Sequence, residues 1–394
     1  MKKSFKKFAL ITLSMMTLSA VAPAYVAFAE GEETTAAEET AAEETAAEES
    51  AEESEGEETT AAEESAAEET AAEGEEAEEA AEGGIVLKQI YAAPHGDKSF
   101  ASVVVAMQGD KILDAVIDEY QFVDAGEWKG VPNADGAFAE AFAEGKTLVS
   151  KRQDSELYSK MMAEKAGSTV SIADNLDAIG DFAKGKTTAE LEETIKELEG
   201  LGEDGNVADV ITGATLKDAG GYLAAIVQAA NEGYEFAGAE TLENADVEIK
   251  HALAAPHGDK AFALVTVVMD GDKVAATTID EFQTVEGEGW TGVPNMDGAF
   301  AEGLQEGKIL VSKLMDSETY SKLMAEKSGS TVTYVDNLKA ISQFTIGKTV
   351  DELSTTVADL EAQGEEAKIA DVISGATLKD AGGYLQAVID VANQ

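Results

Sequence analysis

The run Asp209-Val210-Ile211-Thr212-Gly213-Ala214-Thr215-Leu216-Lys217 returns as Asp371-Val372-Ile373-Ser374-Gly375-Ala376-Thr377-Leu378-Lys379, with one change, Thr to Ser. Its last threonine, Thr215 or Thr377, offers a hydroxyl that can carry or bind a phosphate. Gly213 and Gly375 let the backbone approach a ligand closely or take a positive φ. Ala214 and Ala376 add little bulk. An apolar helical pattern follows through Tyr222, Leu223, Ile226 and Val227. A helix start there would present unpaired amides and a partial positive charge, which suit phosphate. The competing assignment is a plain N-cap, a place Thr often takes. Duplication copies an idle cap as faithfully as a working site.

Other residues offer less specific chemistry. His95 and His257 stand in Pro-His-Gly turns, where either proton transfer near neutral pH or one backbone hydrogen bond would account for them. His251 has Gln89 as its counterpart and is given no role. Trp128 and Trp290 each precede a Gly-Val-Pro-Asn turn and suit either a flat ligand or the edge of a core. Gly220-Gly221 and Gly382-Gly383 fall inside helical patterns at a cost of about 1 kcal/mol each relative to Ala. Close approach of a ligand or of another element would explain them, and so would early helix termination. With no Cys and three His, the chain has no thiolate metal site, iron–sulfur cluster, c-type haem or chain of His-ligated haems.

The elements that must position the motif also come twice. Ala92-Ala93-Pro94-His95-Gly96-Asp97-Lys98 matches Ala254 to Lys260, and Val131-Pro132-Asn133 matches Val293-Pro294-Asn295, all at an offset of 162. A repeat this long is a duplicated globular domain, large enough to bury its own core. Strands are predicted at Phe100–Met107 and Ile112–Phe122, joined by a hairpin at residues 108–111, and again at Phe262–Met269 and Val274–Phe282. Helices are predicted over Ser155–Ala166 and Asn175–Ala183. Capping boxes at Thr187/Glu190 and Thr349/Glu352 open further helices. Strands paired locally with helices gathered later indicate an α+β class, an antiparallel sheet with helices in each copy. The boundaries are 1–29 for a signal peptide, 30–84 for a linker, 85–233 and 247–394 for the domains, and 234–246 for a short acidic connector. Each copy keeps its own strands, capping box and threonine, so separate folding is expected.

The D-x-x-[ST]-G-A-T pattern resembles the site at which the FMN-binding domain family carries flavin, found in subunits of the sodium-pumping quinone reductase and of Rnf complexes. The arrangement of leader, tether and tandem domains is also similar to extracellular electron-transfer flavoproteins of Gram-positive bacteria. The resemblance spans residues 85 to 394, but only the short motif is specific. It implies FMN joined by a phosphoester to Thr215 and to Thr377. It makes Asp209 and Asp371 the residues recognised by an ApbE-type FMN transferase, and Thr212-Gly213-Ala214 and Ser374-Gly375-Ala376 the shapers of the loop. It further implies an electron carrier more than an enzyme with its own substrate pocket. Electrons would come from a membrane quinol-linked donor and pass to an extracellular acceptor such as ferric iron. Lys217 and Lys379 stand where the family often has Thr or Ser. The alternative function is a cofactor-free repeated surface binding or adhesion module.

The remaining sequence speaks to location. Lys2, Lys3, Lys6 and Lys7 precede an apolar stretch, and Ala27-Phe28-Ala29 offers small residues for cleavage after Ala29. An uncleaved anchor is the other option. Residues 30–84 hold 24 Glu and no Lys, Arg or Asp, which predicts a disordered, self-repelling tether. Of the net charge of −50, about −30 remains after that segment and the leader are removed, a surface that repels nucleic acid and anionic lipid.

Overall fold

Strand β2, Ser99–Gln108, is buried over nearly its whole length, and its alternation explains the architecture. Ala101, Val103, Val105 and Met107 point to one face and join a core with helical residues of the first repeat. Phe100, Val104 and Ala106 point to the other face and pack among residues of the second repeat. A strand covered on both faces reads as a near-continuous apolar run. The computed structural model describes residues 83–202, 205–244, 247–364 and 367–394. The leader and most of the acidic segment therefore lie outside the described residues.

In the first repeat, β1 (Ile85–Ala92), β2, β3 (Lys111–Asp124) and β4 (Lys146–Ser150) form an antiparallel meander. Helices α1 (Ser155–Ala166), α2 (Ile172–Ala183), α3 (Thr188–Gly200) and α4 (Ala219–Glu232) follow. Strand β5 (Tyr234–Ala237) then pairs with the outer edge of β1, giving the order β4-β3-β2-β1-β5. In the second repeat β6 (Ile249–Ala254), β7 (Ala261–Asp270), β8 (Lys273–Glu286) and β9 (Lys308–Ser312) pair in that order. Helices α5 (Ser317–Ser328), α6 (Tyr334–Thr345), α7 (Val350–Gln363), α8 (Ile369–Val372) and α9 (Ala381–Ala392) complete it. The class is α+β with two antiparallel sheets. Both hairpins and both capping boxes form where predicted, and α1 has the predicted bounds. The connector is not plain chain, since its first four residues are β5.

The expectation of separate folding meets a shared core. Phe100, Tyr120, Phe138 and Phe142 cluster with Phe262, Phe282 and Phe300. Phe262 stacks on Phe282 with centroids 4.7 Å apart, and Phe282 lies 5.3 Å from Tyr91. The polar contacts are reciprocal. Asn133 Nδ2 donates to the carbonyls of Gly258 (2.9 Å) and Ala261 (2.7 Å), while Asn295 Nδ2 donates to Gly96 (2.9 Å) and Ser99 (2.6 Å). The Phe138 amide bonds the Asp259 carbonyl at 2.9 Å, and the Phe300 amide bonds the Asp97 carbonyl at 2.8 Å. Such i-to-j and j-to-i pairing is the signature of a two-fold interface, here inside one chain. It gives the matched landmarks a purpose: the Val-Pro-Asn turn of each repeat grips the Pro-His-Gly-Asp turn of the other. Both gripping asparagines sit at positive φ, 64° for Asn133 and 67° for Asn295, a conformation Asn tolerates better than most residues.

The centre of the interface is one-sided. Tyr91 donates to the buried Asp280 (2.5 Å), Gln89 bonds Tyr91, and Thr278 donates to Gln89 (2.7 Å). Leu253 and His251 occupy the places of Tyr91 and Gln89 in the second repeat. Burial, with Arg152 nearby, pushes the His251 imidazole down to about 3, and burial pushes the Asp280 carboxyl up to about 6.

Candidate functional site

The motif loop is pinned by alternate residues. Ile211 and Ala214 are fully buried beneath it, while Thr212, Gly213, Thr215 and Lys217 are exposed. Ile373 and Ala376 anchor the second loop in the same way, with Ser374, Gly375, Thr377 and Lys379 outside. Gly213 has φ 91° and Gly375 φ 90°, so the turn needs glycine there. Asp209 closes a short 3-10 turn, is exposed and accepts from Asn206 at 3.0 Å. Asp371, in α8, is exposed as well.

A buried asparagine, not singled out from sequence, holds each threonine. Asn175 Oδ1 accepts from the Thr215 amide (2.6 Å), the Thr215 hydroxyl (3.2 Å) and the Leu216 amide (3.1 Å). Asn337 makes the same three contacts with Thr377 and Leu378 at the same lengths. The other end of each amide donates back to the carbonyl of its helix's N-cap residue, Asn175 Nδ2 to Ser171 O and Asn337 Nδ2 to Thr333 O, both at 2.8 Å. The signal was present in Asp174-Asn175-Leu176 and Asp336-Asn337-Leu338 at the shared offset, but a polar residue on an amphipathic helix gives no hint of a partner forty residues away.

The threonines are not helix caps. Helices α4 and α9 begin at Ala219 and Ala381, capped in position by Asp218 and Asp380. The Thr215 amide is taken by Asn175, so the helix start does not offer it to a phosphate. What the loop does offer is an exposed hydroxyl on a fixed backbone. Esterification would remove only the hydroxyl donor and leave two amides on Asn175 Oδ1. Replacing Asn175 by Ala should loosen the first loop and cost about 1–3 kcal/mol, because three donors lose one buried acceptor. Amide hydrogen exchange would show faster exchange at Thr215 and Leu216, with Thr377 and Leu378 unchanged.

Each repeat also holds a buried ionic cluster. Glu119 is fully buried and takes Lys151 Nζ at 2.8 Å, the Ser99 hydroxyl and the Tyr222 hydroxyl from α4. Burial would raise Glu119, yet Lys151 and His95 bring it below the usual carboxylate range. Burial would lower Lys151, and Glu119 raises it above its ordinary value instead. In the second repeat Glu281 takes Lys313 Nζ at 2.9 Å and Tyr384 at 2.6 Å. Tyr222 and Tyr384 thus tie the helix after the motif to the sheet.

The Pro-His-Gly turns lie against the same helices. His95 Nδ1 meets Asp218 at 2.6 Å, and that hydrogen bond raises the imidazole above its ordinary value. A Cβ on Gly221 would stand 2.6 Å from the Pro94 carbonyl oxygen, and one on Gly383 2.5 Å from that of Pro256. Close approach of another element therefore explains these glycines, and α4 continues to Glu232. Trp128 is half-buried against the first helical core. The amides of the next two residues, Lys129 and Gly130, bond Asp154 at 2.8 and 3.3 Å.

Two clefts, of about 530 and 340 Å³, lie beside β9 and beside β1, and neither is lined by the motif loops. Among the described residues no group of three or more acidic or His side chains could hold a metal ion, and no helix is long and apolar enough to cross a membrane. No family model, curated protein or solved structure matches this chain.

Proposed function

We propose that the chain is an exported electron carrier made of two tandem FMN-binding domains after an acidic tether, with FMN esterified to Thr215 and to Thr377. The observation that supports this most is the pair of exposed threonine hydroxyls, each on a D-x-x-[ST]-G-A-T loop held by a buried asparagine with matching contacts. The residues fit a phosphoester. The threonine is exposed, the glycine opens the turn, and Ile211/Ala214 and Ile373/Ala376 fix the loop from below. FMN, when bound, supplies reversible electron uptake; the chain supplies position and charge.

Thr215 and Thr377 hold the group by its phosphate, and Asn175 and Asn337 hold the threonines. Asp209 and Asp371, exposed upstream, are what an ApbE-type FMN transferase would recognise. Lys217 and Lys379, exposed two residues beyond, offset phosphate charge. Covalent attachment suits a location outside the cytoplasmic membrane, where a dissociable cofactor is lost by dilution. The donor is a membrane quinol-linked system and the acceptor an extracellular oxidant such as ferric iron. Co-expression with the transferase tests this assignment. Proteolysis should release two fluorescent flavin peptides, one containing Thr215 and one Thr377. Fluorescence confined to other peptides would overturn it.

A further inference from the structure

The buried clusters of the two repeats differ at one oxygen. In the first, Glu119 Oε1 takes both Lys151 Nζ and the Ser99 hydroxyl. In the second, Lys313 Nζ (2.9 Å), Tyr384 OH (2.6 Å) and Tyr334 OH (3.4 Å) all donate to Glu281 Oε2. Glu281 Oε1 is buried and receives no hydrogen bond. Two differences leave it bare: Ala261 stands where the first repeat has Ser99, and Lys313 lies on Oε2 where Lys151 lies on Oε1. His257 Nδ1 lies 3.5 Å from that oxygen, and His257 Nε2 lies 3.4 Å from Asp380 Oδ2. A neutral imidazole has one N–H and serves one of these carboxylates; a protonated imidazole donates at both nitrogens. His95, by contrast, gives its Nδ1 to Asp218.

We propose that His257, Glu281 and Asp380 form a proton site found only in the second repeat, in which a protonated imidazole bridges the buried carboxylate and the acidic residue that opens α9. Glu281 on β8 and Asp380 at α9 face the imidazole, and Lys313 after β9, Tyr384 on α9 and Tyr334 on α6 face Glu281 beside it. Two carboxylates against one ammonium leave one negative charge, which the proton cancels. The nearby Glu281 carboxylate raises the imidazole above its ordinary 6.5, against burial and Lys313. Its stabilising contribution is thus complete below pH 6.5 and is lost as pH rises through the folded value. His257 is half-exposed, so solvent supplies the proton directly. What the site does for the Thr377 loop rests on the flavoprotein assignment. There His257 is a positioning residue, placing positive charge at the start of the helix three residues past the phosphoester, where it favours added negative charge.

The test is an NMR titration of the three imidazoles in the full chain without flavin, assigned with His95→Gln, His251→Gln and His257→Gln. His257 should be the last to lose its proton. Ala261→Ser restores the missing hydroxyl and should lower His257 by about one pH unit, tenfold in proton affinity, leaving His95 unchanged. A His257 that titrates with or before His95, or is indifferent to Ala261→Ser, overturns the proton site. In flavin-loaded protein, His257→Gln should lower the reduction potential of the Thr377 centre alone, and equal potentials with and without the substitution overturn its link to that loop. Absence of flavin would count against the electron-carrier assignment, while the titration, read on unloaded protein, would still decide for or against the proton site.

Discussion

Lys151→Met should destabilise the chain by about 3–5 kcal/mol, the largest effect expected of any single charge change, because it strands Glu119 in the interior. Glu119 and Lys151 are 0% and 2% exposed as side chains and 2.8 Å apart. Adding Glu119→Gln to Lys151→Met should recover most of the loss, since a neutral amide can accept from one of the two hydroxyls, Ser99 or Tyr222, and donate to the other. The pH response gives a second sign. In the native protein Glu119 is held below its ordinary value, so its contribution is present above that value and is lost as pH falls. In Lys151→Met burial raises it, and the variant should gain on its parent as pH falls from about 7 to about 5. Urea unfolding at several pH values measures both effects. A Lys151→Met protein as stable as the parent at neutral pH would mean that the ion pair is not buried.

Phe282→Ala should cost about 3–5 kcal/mol and should weaken both repeats together. Its ring is fully buried and touches Tyr91, Phe100 and Tyr120 of the first repeat as well as Phe262 of the second. If the repeats share one core, denaturant should unfold them in a single transition, and Phe282→Ala should move that transition as a whole. Probes in each half, Trp128 and Trp290 observed separately after replacing the other by Phe, should report one midpoint. A first repeat that keeps its midpoint while the second loses its own would restore the expectation of independent domains.

These outcomes bear on what the sequence made legible. β-rich runs joined at Gly-Asp turns placed the hairpins, and Thr-x-x-Glu placed α3 and α7, because both signals are local. Strand β1 and the edge strands β4, β5, β6 and β9 were not predicted, since strands without a hairpin signal take their identity from a partner. The shared core was hidden for a related reason. A run such as Ser102-Val103-Val104-Val105 says that both faces are buried but not that the second cover is another repeat. The two motif threonines were singled out from a seven-residue pattern. Asn175 and Asn337, which hold them, were not, because a contact over forty residues leaves no local trace. Glu119 and Glu281 hid similarly, as acidic residues in strands whose lysine partners lie 32 positions on.

The central claim is covalent flavin at two threonines, and intact mass spectrometry of the full chain co-expressed with an ApbE-type transferase addresses it most directly. The chain should gain twice the mass of FMN less water. Thr215→Ala and Thr377→Ala should each remove one addition, and the double variant both. An unmodified chain, or additions that survive the double substitution, would contradict the account.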